Sequence, residues 1–215
     1  SGSMDFGSGN KSKRQMMMQF VGVMAKLLMK RGNRIGALLL NPAETDGFQC
    51  IPPRMGRRHL LHLLHVLETS PNIQKTHQTN LNEWLARANG LIKRRSSVFV
   101  VSDFMGQFNW ASELSALGRR HDTVATRLFD PAEKNLPKAG LMLLQDSETS
   151  EQLLLDTANA KFRHRYAQLV EEREMQLATC FAQAGVDALE LSTNEDMANA
   201  LMRFSELRKR RVWRA

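Results

Sequence analysis

The spacing of apolar residues alternates along the chain between the period of a helix and the period of a buried strand. Apolar side chains three or four positions apart, as at Leu60, Leu64 and Leu67, indicate a helix that buries one face. Short unbroken apolar runs such as 98–101 indicate strands that are covered on both faces. The predicted helices span residues 11–31, 56–68, 79–94, 109–117, 161–184 and 196–210. The predicted strands span residues 34–40, 48–51, 97–101, 123–129 and 186–191.

This order of strands and helices predicts the fold class. Strands that alternate with helices imply right-handed crossovers and a parallel arrangement. We therefore expect an α/β domain with a doubly wound, mostly parallel sheet and helices on both faces, formed by residues 1–215 as one domain. Residues 130–156 are less regular. Within them, residues 140–144 and 152–155 flank a polar turn and predict a β-hairpin inserted into the domain.

The charge of the chain admits several kinds of partner. A formal net charge of +8 is compatible with nucleic acid, anionic membranes or acidic proteins. Basic residues nevertheless cluster at the ends of predicted helices, as at 30–31, 93–95 and 119–120, where cations complement the helix dipole. The sequence also lacks the interleaved basic and aromatic residues of single-strand binders. We expect no nucleic-acid partner, and a basic nucleic-acid-binding protein is kept as an alternative.

Cysteine spacing indicates a reducing compartment, and hydropathy bears on whether the chain could cross a membrane. Cys50 and Cys180 are far apart in sequence and lack metal-ligand spacing, which favours free thiols. No apolar stretch of the sequence reaches membrane-spanning length. We expect a cytoplasmic domain, with any membrane tether located outside these residues.

Candidate chemistry lies where strands and loops meet. In doubly wound folds, ligands gather at the carboxyl ends of the strands. Asp103 directly follows an apolar strand, and Ser1 and Ser3 lie in a small polar loop before the first helix. Thr79, a predicted helix N-cap, adds a third hydroxyl. Hydroxyl and carboxylate oxygens are the ligands of hard divalent cations, although turns and helix caps use the same residues.

Other chemistry-bearing residues favour ordinary structural roles. His59, His62 and His65 lie three apart on one predicted helix, whereas metal pairs on helices are usually four apart, so a solvated face is the simpler interpretation. Asp130 with Glu133, or Asp146 with Glu148, resembles an acid/base pair, but a capped turn explains each pair equally well. A metal-dependent hydrolase on the same scaffold stays an alternative, and catalysis is not expected.

Several segments, taken in order, resemble a bacterial family. The matching segments are S-G-S-M-D-F-G at 1–7, G-N-R-I-G at 32–36, P-P-R-M-G-R-R-H-L-L at 52–61, S-D-F at 102–104, H-D at 121–122, D-P-A-E at 130–133 and L-P at 136–137. They are similar to the von Willebrand factor A-like proteins that are encoded beside MoxR-type AAA+ ATPases. That family is known as domain of unknown function fifty-eight.

This resemblance implies a metal-ion-dependent adhesion site. Ser1, Ser3, Thr79 and Asp103 would hold Mg²⁺, or Mn²⁺ or Ca²⁺, and an acidic residue of a partner would complete the coordination. The family's first-loop Asp would precede Ser1, and Asn80 stands where the family usually has an acidic residue. The implied role is a non-catalytic adaptor for a MoxR-type AAA+ ATPase in chaperone-like maturation of a client protein.

The resemblance also places the first strand of the sheet, its central one, ahead of Ser1. Without that strand, the predicted strands at 34–40 and 97–101 lose the neighbour that should lie between them. Unpaired buried backbone groups are costly. We therefore expect an unstable chain, a gap in the sheet, or direct pairing of these two strands.

Overall fold

The computed structural model describes residues 12–40, 47–70, 80–134, 140–145 and 152–212. Helices and strands alternate over most of this length, as the apolar spacing predicts. The helices are α1 (Lys13–Lys30), α2 (Arg57–Thr69), α3 (Leu81–Leu91), α4 (Ala111–Arg120), α5 (Pro131–Lys134), α6 (Ala160–Ala184) and α7 (Met197–Val212). The strands are β1 (Ile35–Leu40), β2 (Phe48–Arg54), β3 (Ser97–Ser102), β4 (Asp122–Phe129), β5 (Leu141–Gln145), β6 (Gln152–Asp156) and β7 (Asp187–Ser192).

A three-stranded parallel sheet with the order β3-β4-β7 forms the centre of the fold. Ser97 of β3 pairs with Asp122 of β4, and Val124 of β4 pairs with Asp187 of β7. The middle strand β4 is buried from Thr123 through Leu128, as expected for a strand that is covered on both faces. All three strands therefore point their carboxyl ends toward the same edge.

Helices cover both faces of this sheet. On one face, Leu85 of α3, Leu114 of α4 and Phe181 of α6 pack against strand residues in one buried cluster. On the other face, Phe20 of α1 and Ala200 of α7 belong to a second buried cluster. This layering is the predicted doubly wound α/β class. None of the helices in the described ranges is long and apolar enough to cross a membrane.

Two further strand pairs are antiparallel. β1 pairs with β2, and β5 pairs with β6 in the hairpin that the sequence predicts between residues 130 and 156. A bulge near Gly36 interrupts the first pair, and a Cβ at Gly36 would lie 2.7 Å from the Ile51 carbonyl oxygen. Only glycine therefore lets the two strands approach this closely. β2 also runs beyond its predicted end, through Pro52 and Pro53 to Arg54. Proline is tolerated there because β2 has one strand partner, β1, in the described part of the chain.

β1 and β3 belong to separate sheets. In the described residues β1 pairs only with β2, and β3 pairs only with β4. Leu38 of β1 and Val98 of β3 nevertheless pack against the same buried cluster. Direct pairing, one of the three outcomes expected from the sequence, is thus not seen in this part of the chain.

Local signals explain where the helices begin and end. Ser12 caps α1 with a complete capping box, in which its hydroxyl accepts from the Gln15 N–H and the Gln15 side chain accepts from the Ser12 N–H. Gly185 ends α6 in the left-handed region with a φ of 66°. The prediction that Thr79 caps α3 is wrong, because the Asn80 side chain accepts from the Asn82 N–H and takes the N-cap position.

Candidate functional site

Asp103 lies at the carboxyl edge of the parallel sheet, directly after β3, and is 6% exposed. The chain turns sharply there. The Ser102 hydroxyl accepts from the Phe104 N–H at 3.0 Å, and Asp103 Oδ1 accepts from the Met105 N–H at 3.2 Å. These bonds fix the direction of the Asp103 carboxylate relative to the strand.

The residue after Asp103 holds this turn in an unusual conformation. Phe104 has a φ of 52°, a left-handed conformation that is rare for a bulky residue. Its ring is buried against Trp110 and Phe181, with ring centroids 5.1 and 5.0 Å away. Burial of this aromatic side chain offsets the backbone strain, which is often found at functional sites. The packing of Phe104 therefore fixes the backbone that carries Asp103.

Lys13 brings a positive charge to the same edge. It is the first residue of α1, and its side chain is fully buried. Lys13 Nζ lies 2.5 Å from Glu133 Oε1 and 3.5 Å from Asp103 Oδ2. The ammonium thus bridges carboxylates that follow two neighbouring strands, β3 and β4.

Asp130 and Glu133 form the capped turn that the sequence allowed. Asp130 is fully buried and accepts from the Ala132 N–H at 2.8 Å and from the Thr193 hydroxyl at 2.7 Å. Glu133 Oε2 accepts from the Asp130 N–H at 3.2 Å. Tyr166 of α6 donates its hydroxyl to the Glu133 carbonyl at 2.7 Å, and burial, followed by the Glu133 charge, raises the pKa of that phenol. Strand ends and two helices therefore converge here.

We call this group the edge cluster. Its members are Lys13, Asp103, Asp130, Glu133 and Thr193. It combines three carboxylates with one ammonium, so its formal charge is negative. The parallel arrangement of β3, β4 and β7 brings these residues together from distant parts of the sequence.

A second ionic group, the Arg127 cluster, lies beside it and consists of Arg127, Lys134, Glu174 and Glu190. Arg127 Nη1 donates to Glu174 at 2.8 Å and to Glu190 at 2.9 Å, and Arg127 Nη2 also donates to Glu174. Lys134 Nζ donates to Glu174 at 2.8 Å. The hydrogen bond from Arg127 is the largest of the effects that lower the pKa of Glu174 to about 2. Burial disfavours the charge of Arg127, but Glu174 and Glu190 outweigh it and raise the Arg127 pKa.

The structure places one of the four predicted metal ligands. Asp103 lies at the predicted edge, whereas Ser1, Ser3 and Thr79 fall outside the described residues. The sequence reasoning missed Lys13 and Thr193. Lys13 had a usable signal, because a lysine next to the N-cap Ser12 opposes the helix dipole. Thr193 gave no local signal, since its partner Asp130 is distant in sequence.

One carboxylate of the edge cluster, that of Asp103, is a ligand of the type that a hard cation prefers. Asp103 offers carboxylate oxygen, the ligand type that Mg²⁺, Mn²⁺ and Ca²⁺ prefer, and its partners Lys13 and Glu133 leave the trio with a net negative charge. Within the described ranges, no group of three or more His, Cys, Asp or Glu side chains is arranged to hold a metal ion. Further ligands would therefore have to come from the predicted hydroxyls of Ser1, Ser3 and Thr79.

Comparisons with known proteins agree with this fold. Residues 1–176 match the family described as protein of unknown function DUF58. Uncharacterized protein Rv1480 of Mycobacterium tuberculosis (strain ATCC 25618 / H37Rv) is 29% identical over 212 residues, which cover 98% of this chain and 65% of that protein. Uncharacterized protein MAV169 of Mycobacterium avium is 29% identical over 160 residues, which cover 74% of this chain and 94% of that protein.

A solved structure shares the architecture. The chain is similar to the crystal structure of conserved hypothetical protein BatB from Bacteroides thetaiotaomicron, with a TM-score of 0.58 and 10% identity, over 97% of this chain and 93% of that one. At this identity the likeness shows the fold alone, and it confirms the predicted α/β class. The chain spans 65% of the length of the M. tuberculosis relative.

Proposed function

The chain belongs to the family described as protein of unknown function DUF58, and from that premise we propose that it is a non-catalytic protein-interaction module. Its carboxyl edge would bind an acidic group of a partner protein through a divalent cation. Mg²⁺ is the proposed cation, with Mn²⁺ or Ca²⁺ as substitutes. The proposed ligands are Ser1, Ser3, Thr79 and Asp103.

One observation supports this proposal above the others. The Asp103 carboxylate lies at the carboxyl edge of a parallel sheet, in a negatively charged cluster, on a turn fixed by buried aromatic packing. In open α/β sheets, this edge is where ligands bind. Carboxylate oxygen on a rigid backbone suits a hard cation, which has strict preferences for oxygen ligands.

Hydrogen bonds within the chain would hold the edge of the sheet in the geometry needed for binding. The Met105 N–H holds Oδ1 of Asp103, so that the carboxylate keeps one orientation. Asp130 holds the neighbouring turn through Thr193 and Ala132. When bound, a divalent cation supplies a coordination position that a carboxylate of the partner fills. No bond of the partner is made or broken.

The bonding of the edge carboxylates favours binding over catalysis. Asp130 accepts from a backbone N–H and from a hydroxyl, and Glu133 accepts from a backbone N–H and contacts Lys13. These interactions are those of a capped, ion-paired turn. A general acid or base would instead need reach to a substrate proton.

The proposed partner follows from the family resemblance. A MoxR-type AAA+ ATPase encoded beside the chain would be bound at this edge, and the chain would act as its adaptor in chaperone-like maturation of a client in the cytoplasm. Nucleic acid is not a proposed partner. A membrane would be contacted only through segments outside residues 1–215.

A pull-down with purified neighbouring ATPase tests this function. Asp103→Ala should reduce the ATPase retained with Mg²⁺ to the level seen with a chelator. Asp122→Ala is the matched control, because Asp122 lies at the opposite, amino-terminal end of a strand and pairs with Arg208 at 2.5 Å. Full Mg²⁺-dependent retention by Asp103→Ala would refute the proposed site.

A further inference from the structure

The position of Lys13 is costly by two separate criteria. Its side chain is fully buried, and an ammonium loses its hydration when it leaves water. It is also the first residue of α1, where the helix dipole disfavours positive charge. Such a placement persists only when nearby carboxylates compensate for both costs. Asp103 and Glu133 are therefore the reason that this lysine can be buried.

The two carboxylates share the ammonium unequally. Glu133 Oε1 lies 2.5 Å from Lys13 Nζ in an ion pair that lacks hydrogen-bond geometry, whereas Asp103 Oδ2 lies 3.5 Å away. Glu133 is itself held in place, since its other oxygen accepts from the Asp130 N–H. Lys13 thus keeps its closer ion pair, with Glu133, if its longer contact with Asp103 is lost.

We propose that Lys13 is a resident cation that competes with the divalent cation for the Asp103 carboxylate. This inference rests on the proposed function, which assigns Asp103 to the cation. A divalent cation bound to Asp103 would be repelled by the Lys13 ammonium at close range, because screening is weak in a buried setting. The ammonium neutralises Asp103 when the cation is absent and lowers the affinity for the cation when it is present.

Competition of this kind links cation binding to partner binding. The Lys13, Asp103 and Glu133 trio carries one net negative charge, which attracts a dication weakly. A carboxylate from a partner adds a second negative charge to the site. Cation and partner therefore strengthen each other's binding, as linkage requires. Lys13 keeps the affinity of the site for the divalent cation low until the acidic group of the partner binds.

Titration with Mn²⁺, followed by the electron paramagnetic resonance signal of the free ion, tests this role. The informative variant is Lys13→Met with Glu133→Gln. It removes the ammonium while keeping the net charge of the trio, since one cation and one carboxylate are both lost. The neutral amide that this variant carries at position 133 can still accept from the Asp130 N–H. We expect the Mn²⁺ dissociation constant to fall by about tenfold or more relative to wild type.

Two further variants complete the test. Lys13→Arg keeps the positive charge and should bind Mn²⁺ no more tightly than wild type. Lys13→Met alone should bind most tightly if it folds, which circular dichroism checks, and the double variant remains informative if it does not.

The outcomes separate the two proposals. Unchanged or weaker binding by the double variant, with clear binding by wild type, overturns the role of Lys13 and leaves the proposed function standing. Absence of Mn²⁺ binding in wild type and in every variant overturns both.

Discussion

The edge cluster and the Arg127 cluster both join basic and acidic side chains around β4, yet they differ in burial. In the edge cluster, Lys13 and Asp130 are fully buried and Asp103 is nearly so. In the Arg127 cluster, the side chains of Glu174 and Glu190 are 29% and 48% exposed. Water therefore reaches the Arg127 cluster through both glutamates, and reaches the edge cluster mainly through Glu133, whose side chain is 24% exposed.

The contacts of Arg127 and Lys13, the cations at the centre of the two clusters, also differ. Arg127 donates through both terminal nitrogens to Glu174 and reaches Glu190 as well, while its buried Nε–H has no hydrogen-bond partner among the described residues. Lys13 is stretched between Glu133 and Asp103 at unequal distances. The hydrogen bonds of Arg127 account for a role in stability, whereas the unequal contacts of the buried Lys13 ammonium are consistent with the proposed exchange of one partner.

The largest expected effect comes from removing either cation. Lys13→Met should lower the free energy of unfolding by about 3–5 kcal/mol, since it removes the buried ammonium that Asp103 and Glu133 share. Arg127→Met should cost less, about 1–3 kcal/mol, because Glu174 keeps Lys134 and is partly solvated. Urea unfolding of both variants measures this difference. Equal losses would show that burial does not distinguish the clusters.

Lowering the pH is expected to have an intermediate effect on the free energy of unfolding. The pKa of Glu174 lies at about 2, below its ordinary 4.5, so its stabilising contribution is complete above pH 4.5 and is lost as the pH falls toward 2. Allowing for solvent screening, this contribution is about 1–2 kcal/mol. Glu174→Gln should flatten the dependence of unfolding free energy on pH within that window. A curve as steep as that of wild type would contradict the assignment.

The smallest effect on stability is expected at Glu190, the most exposed side chain of the Arg127 cluster. Glu190→Gln should change the free energy of unfolding by less than about 1 kcal/mol, because an exposed ion pair contributes little and Arg127 keeps Glu174. Chemical denaturation at low and high salt checks this value. A loss as large as that of Arg127→Met would mean that Glu190, and not Glu174, is the main partner.

Much of the fold followed from local pattern. The apolar runs at 97–101 and 123–129 predicted strands close to β3 and β4, and helical spacing predicted the helices that cover them. The position of Asp103 at the carboxyl edge followed as well, because it comes directly after a buried strand. Family membership was also recognisable, since seven short segments appear in the family's order.

Local pattern could not show which side chains meet. Lys13 and Glu133 are 120 positions apart in numbering and lie close together because α1 packs against β4, the strand that Glu133 follows. Asp130 and Thr193 meet because β4 and β7 are parallel neighbours that end at the same edge. Cap positions were also ambiguous, since Thr79 and Asn80 are both good caps and only the contact with Asn82 distinguishes them.

Cation binding at the edge cluster and at the Arg127 cluster can be compared directly to test whether Asp103 holds a divalent cation. Mn²⁺ is titrated into wild type, Asp103→Asn and Glu174→Gln, each with its folding verified. We expect one Mn²⁺ site in wild type, loss of that site in Asp103→Asn, and unchanged affinity in Glu174→Gln. Binding by Asp103→Asn that equals wild type would contradict this expectation.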